Sequence, residues 1–140
     1  MNNNKFSNLR VLAVDDNMMM INLMTNMLKN IGFEKIDTAM DGREGLEAIM
    51  DSKNNGQLYD IIFLDWNMPE KCGFDILREC REDLDFSKVA FVMVTAENQK
   101  RSILEATKTG ANAYLTKPIS EDTLKQKIEN VVDWLERVRG

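Results

Sequence analysis

The stretch Ile-Ile-Phe-Leu-Asp-Trp-Asn-Met-Pro at residues 61–69 sets the frame for the whole chain. Its four leading apolar residues predict a short strand that is buried on both faces, and Asp65 stands where that strand ends. Three further apolar runs, at 11–14, 89–94 and 113–115, end in the same way, in the polar residues Asp15-Asp16, Thr95 and Thr116-Lys117. If these runs are parallel strands, their polar ends meet at one edge of a sheet.

Strand-like and helix-like segments alternate along the chain. Strands are predicted at 9–14, 35–39, 60–64, 89–94 and 113–115. Helices are predicted from Asn17 to Gly32, at 42–52, after Gly73, at 98–107 and from Ser120 to about 138. Five β/α units predict an α/β fold in which helices cover both faces of a parallel sheet. Ligands of such sheets bind outside the carboxyl ends of the strands, at a point where the strand order reverses.

Apolar spacing predicts the buried side of each helix. In the third helix, the stripe consists of Phe74, Leu77, Cys80 and Leu84. In the first helix, methionines recur at helical spacing and predict core packing, while Met18 and Met19 are expected to be exposed. Trp66, next to Asp65, is expected to be partly exposed.

Composition narrows the classes of function. The 140 residues carry 18 basic and 23 acidic side chains and a net charge of −5, which disfavours direct nucleic-acid binding. No apolar run approaches the roughly 18 residues that a membrane span needs. Cys72 and Cys80 match no zinc pattern and are predicted to be free thiols of a cytoplasmic protein. The absence of histidine excludes Ser-His-Asp and Cys-His mechanisms.

Three carboxylates would converge at the predicted sheet edge: those of Asp15, Asp16 and Asp65. Two like charges about 4 Å apart repel by roughly 4 kcal/mol at an effective dielectric constant near 20. Three of them need a cation among them, or one must be protonated. Oxygen ligands without histidine or thiolate favour Mg²⁺ or Ca²⁺, and a half-open site favours Mg²⁺.

The same residues suit phosphoryl transfer. An aspartate can accept a phosphoryl group as an acyl phosphate. Lys117 can offset the charge of that group, and Thr95 can donate a hydrogen bond to it.

Four motifs together resemble the receiver domains of two-component response regulators, and most closely the chemotaxis receivers. They are Val14-Asp15-Asp16-Asn17, Leu64-Asp65-Trp66-Asn67-Met68-Pro69, Val94-Thr95-Ala96-Glu97 and Lys117-Pro118. The resemblance covers residues 9–138 and implies a flavodoxin-like, doubly wound sheet of strand order 2-1-3-4-5. It leaves residues 1–8 as an N-terminal tail.

The resemblance also implies roles. Asp65 matches the phosphoacceptor, and Mg²⁺ would be held by Asp15, Asp16, Asp65 and the backbone carbonyl of Asn67. Thr95 and Lys117 match the hydroxyl and the ammonium that contact the phosphoryl group, and the Lys117–Pro118 bond is expected to be cis. Thr95 and Tyr114 match the switch pair, and Tyr114 turns inward on activation. Asn67 and Glu97 occupy the positions that tune the lifetime of the acyl phosphate.

The partners implied are a histidine kinase or histidine phosphotransfer protein as donor, and a downstream protein on the face formed by helix 4, strand 5 and helix 5. The expected state is a monomer, or a dimer when phosphorylated, that does not bind nucleic acid directly and does not insert into a membrane. A freestanding chemotaxis-like protein that slowly dephosphorylates itself is favoured over the receiver module of a longer regulator with a DNA-binding or enzymatic output domain.

Two other classes are weaker. A hydrolase with an aspartyl-phosphate intermediate, of haloacid-dehalogenase type, wants a second aspartate two residues after the nucleophile, where this chain has Asn67. A flavin or nucleotide carrier needs a glycine- or hydroxyl-rich phosphate loop after strand 1. The pair Asp15-Asp16 at that position would repel phosphate.

Overall fold

A computed structural model describes residues 5–140, so the predicted tail at 1–8 lies partly outside the described residues. The strands are β1 Arg10–Val14, β2 Lys35–Ala39, β3 Ile61–Leu64, β4 Ala90–Thr95 and β5 Ala113–Thr116. The helices are α1 Met18–Ile31, α2 Gly42–Asn54, α3 Gly73–Arg81, α4 Lys100–Thr109 and α5 Glu121–Arg139, and a short 3₁₀ helix spans Leu84–Phe86.

The five strands form one parallel sheet of order β2-β1-β3-β4-β5, as predicted. The strand order reverses between β1 and β3, which pair directly with Val14 opposite Leu64. Asp15 and Asp65 are the next residues along the two strands. They therefore lie side by side at the point where a doubly wound sheet binds its ligands.

Alternation along the strands divides the core into two layers. Ile61 and Phe63 of β3 pack into the layer that holds α1 and α5, and Ile62 and Leu64 pack into the layer that holds α2, α3 and α4. Because both faces are covered, β3 is apolar at every position instead of alternating between apolar and polar residues.

The predicted helix ends of α1 and α5 are confirmed. The Asn17 side chain accepts a hydrogen bond from the Met20 N–H, and the Ser120 side chain accepts one from the Thr123 N–H. Gly32 ends α1 at a φ of 130°, a conformation that favours glycine. These hydrogen bonds can be predicted from the sequence because each joins residues only three positions apart.

Three features of the second half differ from those predicted. α4 begins and ends two residues later than the predicted range of about 98–107, and in the segment before it the Glu97 carboxylate accepts the Gln99 N–H. Leu84 is not on the α3 stripe. α3 ends at Arg81, Asp83 caps a separate 3₁₀ helix, and Leu84 is 85% exposed while Phe86 is buried. β4 extends to Thr95, which pairs with Thr116.

The segment before β1 packs against the body of the fold. Phe6 is buried and stacks on Phe33, with ring centroids 5.1 Å apart. The boundary predicted at Leu9 stays a prediction. Within residues 5–140, none of the helices combines the length and apolarity that a membrane-spanning helix requires. Cys72 and Cys80 are free thiols, as predicted.

Candidate functional site

Three aspartates meet at the carboxyl edge of β1 and β3. One carboxylate oxygen from each of Asp15, Asp16 and Asp65 lies within 4.8 Å of the others. Asp15 and Asp65 are buried, at 4% and 7% exposure, whereas Asp16 is exposed. The cluster is therefore open to solvent at Asp16.

Backbone hydrogen bonds fix the two buried aspartates. The Asp15 N–H donates to the Ala39 carbonyl of β2 at 3.1 Å, and the Asp65 N–H donates to the Val14 carbonyl at 3.1 Å. The Asn17 N–H donates to the Asp15 carboxylate at 2.9 Å. The sheet and the start of α1 thus orient these carboxylates before any ligand binds.

Lys117 bridges the two buried carboxylates. Its ammonium donates to Asp15 Oδ2 at 2.7 Å and to Asp65 Oδ2 at 3.2 Å. The Lys117 N–H donates to the Thr95 carbonyl at 2.8 Å. The Lys117–Pro118 bond is cis, as expected.

Charge and burial oppose each other in the site. Burial raises the pKa of the Asp15 carboxyl, and the nearby charge of Asp65 raises it further. Hydrogen bonds from Lys117 and from the Asn17 N–H lower this pKa, but the net shift is upward. Burial alone would lower the pKa of Lys117, but the hydrogen bond to Asp15 and the charges of both aspartates raise it overall. The site therefore holds a charged lysine between carboxylates, at least one of which resists ionisation.

Thr95 and Tyr114 are joined through the backbone of Glu97. The Thr95 hydroxyl accepts a hydrogen bond from the Glu97 N–H at 3.2 Å, and the Tyr114 hydroxyl donates to the Glu97 carbonyl at 2.8 Å. Tyr114 is half-buried and packs against the core layer that holds α2, α3 and α4. Burial, followed by the charges of Glu97 and Asp65, raises its pKa to about 12. Thr95 and Tyr114, the predicted switch pair, thus both hydrogen-bond to the backbone of Glu97 in the loop between β4 and α4.

The loop after β3 holds Asn67 at the same edge. Asn67 is exposed, and Trp66 is partly exposed and stacks on Phe74 with ring centroids 4.7 Å apart. The Gly73 N–H donates to the Trp66 carbonyl at 2.8 Å. A Cβ on Gly73 would lie 1.9 Å from the Asp65 carbonyl oxygen, so only glycine fits there.

Sequence reasoning named Gly73 only as the end of a loop and missed this close approach. The signal available was a glycine at the start of α3 without a capping side chain before it. The predicted residues Asp15, Asp16, Asp65, Asn67, Thr95, Glu97 and Lys117 lie at or just beyond the carboxyl edge of the sheet, whereas Tyr114 lies inside β5, opposite Met93, and its hydroxyl reaches the Glu97 carbonyl.

Fold and site together define a class: doubly wound α/β proteins with an acidic centre at the switch point of the sheet. The family described as response regulator receiver domain matches residues 11–129. The chain is 37% identical over 132 residues to the chemotaxis protein CheY of Pseudomonas aeruginosa, covering 94% of this chain and 100% of that protein. This chain belongs to the response regulator receiver domain family.

Another relative and a solved structure show similarity to chemotaxis receivers as well. The chain is 33% identical over 128 residues to the chemotaxis protein CheY-3 of Vibrio cholerae, covering 91% of this chain and 95% of that protein. Among solved structures, a chain of the CheX-CheY-BeF3-Mg+2 complex from Borrelia burgdorferi superimposes with a TM-score of 0.80 at 27% identity, covering 94% of this chain and 95% of that one. The similarity to chemotaxis receivers thus spans nearly the whole chain.

Proposed function

We propose that this protein is a receiver that is activated by phosphorylation of Asp65, with a histidine kinase or histidine phosphotransfer protein as donor and Mg²⁺ as cofactor. The observation that carries the proposal is the Lys117 ammonium held between the buried carboxylates of Asp15 and Asp65, at 2.7 and 3.2 Å. An ammonium at this position can contact the oxygens of a phosphoryl group that is bound to Asp65.

The donor set fits Mg²⁺. Asp15, Asp16 and Asp65 supply only oxygen ligands, the cluster is open on one side for water, and the carbonyl of Asn67 would complete the protein ligands. When bound, Mg²⁺ offsets the negative charge of the carboxylates and of the phosphoryl oxygens.

The proposed step is an in-line displacement. A carboxylate oxygen of Asp65 forms a bond to phosphorus while the bond from phosphorus to the donor histidine nitrogen breaks and the electron pair returns to the imidazole. The Lys117 ammonium balances charge on the phosphoryl oxygens. The Thr95 hydroxyl accepts a bond from the Glu97 N–H and keeps its own proton to donate.

The proposed switch runs from Thr95 to the surface. A shift of Thr95 toward a phosphoryl group pulls on Glu97, and Glu97 holds the Tyr114 hydroxyl and precedes α4. The face formed by α4, β5 and α5 would then change its affinity for a downstream protein. Asn67 and Glu97 would tune the lifetime of the acyl phosphate.

A groove of about 630 Å³ beside Lys117 supports the proposal that the phosphodonor is a macromolecule. It is lined by Asn17, Met19, Met20, Asn22, Leu23 and Lys117. Met19 is 81% exposed, as expected from the sequence. A donor that brings its histidine to Asp65 would cover this apolar rim.

We favour a freestanding chemotaxis-like protein over a module of a longer regulator, because the relatives named as chemotaxis proteins match over 95% and 100% of their own lengths. We also propose that the protein acts in the cytoplasm and that it is a monomer that can dimerise when phosphorylated.

The direct test is incubation with a small acyl phosphate donor, followed by intact-mass spectrometry. We expect a gain of one phosphoryl group when Mg²⁺ is present and none when a chelator removes it, because the single ammonium of Lys117 does not offset three carboxylates that face an anionic donor. A gain of equal size and rate in the presence of chelator would contradict the requirement for Mg²⁺.

We also expect Mg²⁺ affinity to depend on pH. Mg²⁺ binds the ionised carboxylate and competes with a proton on Asp15, whose pKa lies above the ordinary aspartate value. As the pH falls through this raised pKa, the apparent affinity should drop by about tenfold per pH unit. Titration of Trp66 fluorescence with Mg²⁺ at several pH values measures this. An affinity that stays constant down to the ordinary pKa of aspartate would contradict it.

A further inference from the structure

We propose that the N-terminus of α2 positions the loop at residues 66–72 for Mg²⁺ binding, with Gly42 and Glu70 as positioning residues. The inference rests on the proposed role of the Asn67 carbonyl as a ligand. Neither Gly42 nor Glu70 belongs to the acidic cluster, and neither carries a group that would touch the ion.

Gly42 brings two backbones into direct contact. It is buried at the first turn of α2, and a Cβ there would lie 1.8 Å from the Lys71 carbonyl oxygen and 2.6 Å from the Lys71 carbonyl carbon. A displacement of more than an ångström would be needed to fit that atom. Because the nearest atoms belong to backbone, no side-chain rotation can relieve the contact.

α2 is a firm support for this contact. The Asp41 side chain accepts the Glu44 N–H at 2.7 Å and fixes the start of the helix. One turn later, Gly45 packs closely on the side chain of Val14 in β1. The helix end is therefore held both by its cap and by the central sheet.

The loop itself is shaped by a tight turn at Glu70. The Lys71 N–H donates to the Pro69 carbonyl at 2.8 Å across a single residue, and Glu70 has a φ of 75°. This is the pattern of the rarer γ-turn, whose central residue has positive φ and is strained. At the other end, the loop is closed by the Gly73 N–H on the Trp66 carbonyl.

Side chains join the loop mainly to α3, through the Lys71–Glu79 ion pair and the stacking of Trp66 on Phe74, and join it to α2 through a single ion pair. The Arg43 guanidinium lies 3.5 Å from the Glu70 carboxylate, but both side chains are more than half exposed. Exposed pairs of this kind contribute little to stability. On the side of α2, the backbone contact at Gly42 therefore contributes more to the position of the loop than the Arg43–Glu70 pair does.

The consequence concerns the metal. Mg²⁺ holds its oxygen ligands at about 2.0–2.1 Å in near-octahedral geometry, so a loop displaced by about an ångström takes its carbonyl out of bonding distance. Changes in groups that orient the ligands of a metal commonly cost 10- to 100-fold in affinity, by rough estimate.

The first experiment compares Gly42→Ala with Gly110→Ala by Mg²⁺ titration of Trp66 fluorescence. Gly110 ends α4, and a Cβ there would press on the Arg81 side chain, 2.9 Å away, so this variant controls for general destabilisation. We expect Gly42→Ala to weaken Mg²⁺ binding about tenfold and Gly110→Ala to leave it within about twofold of the unmodified protein. Equal Mg²⁺ affinity of the two variants would overturn the proposal. It would mean that α2 had moved to make room for the added Cβ and that the loop had kept its position.

The second experiment changes Glu70, whose side chain is exposed, so that its replacement leaves the core unchanged. Glycine at this position accepts a positive φ in Glu70→Gly, whereas the β-branched side chain of Glu70→Val disfavours it. We expect Glu70→Gly to bind Mg²⁺ within about twofold of the unmodified protein and Glu70→Val to bind about tenfold more weakly. Both variants lose the Arg43 pair, so their difference reports the turn alone, and equal affinities would overturn the proposal. An unmodified protein that binds no Mg²⁺ would overturn the proposed function as well, whereas normal binding with indifferent variants would overturn only this inference.

Discussion

Replacing Asp65 by asparagine is expected to abolish uptake of a phosphoryl group from a small acyl phosphate in the presence of Mg²⁺. The amide keeps the shape of the side chain but lacks the anionic oxygen that attacks phosphorus. Asp65 is buried at the end of β3, and its N–H remains bonded to Val14 in the variant, so the fold should persist. Intact-mass spectrometry measures the incorporated group, and circular dichroism reports the fold.

Asp51→Asn is the matched control. It makes the same chemical change at an exposed position on α2, outside the acidic cluster. We expect it to take up the phosphoryl group at the rate of the unmodified protein. Uptake by Asp65→Asn at a similar rate would show that another residue is the acceptor.

Replacing Lys117 by alanine is expected to lower the rate of phosphoryl uptake by about 100-fold. The basis is the loss of a preorganised cation beside the charge that develops on the phosphoryl oxygens, for which removal of one donor typically costs 10²–10³-fold, by rough estimate. In the structure, this ammonium lies 3.2 Å from Asp65 Oδ2 and 2.7 Å from Asp15 Oδ2. Single-turnover kinetics with the small donor measures the rate.

Mg²⁺ affinity separates this effect from simple damage to the site. The Lys117 ammonium and Mg²⁺ are both attracted by the charges of the Asp15 and Asp65 carboxylates, so removal of the ammonium should leave Mg²⁺ binding unchanged or tighter while phosphorylation slows. Lys125→Ala, an exposed change on α5, should alter neither quantity. A Lys117→Ala variant that is phosphorylated at the normal rate, or that binds Mg²⁺ more weakly, would contradict the role proposed for Lys117.

The order of elements could be predicted because local patterns decide it. The buried strand at 61–64 is apolar at every position, and the caps at Asn17 and Ser120 need only residues three positions ahead. The convergence of Asp15 and Asp65 followed from topology, since parallel strands place their carboxyl ends at one edge.

What the sequence could not supply depends on approaches between distant segments. Leu84 fits the spacing of α3, yet the helix stops at Arg81 and Phe86 fills the core instead. The contact of Gly42 with Lys71 and that of Gly73 with Asp65 join residues that are not neighbours in sequence, so local patterns do not report them.

The residues of the site were predictable, but their contacts were not. The resemblance named Thr95, Tyr114 and Glu97 separately, and only the structure shows two of them bonded to the backbone of the third. In the same way, Lys117 was expected near Asp65, while its shorter bond to Asp15 emerged from the structure. The chemical roles of all these residues stay predictions.

The most direct test of the central claim is to locate the phosphoryl group itself. The protein is phosphorylated with a small donor and Mg²⁺, the acyl phosphate is reduced with borohydride, and the peptides are sequenced by mass spectrometry. Reduction converts a phosphorylated aspartate to homoserine, so the account predicts homoserine at position 65 and unchanged aspartate at Asp15 and Asp16. Homoserine at either of those two positions, with Asp65 unchanged, would contradict it.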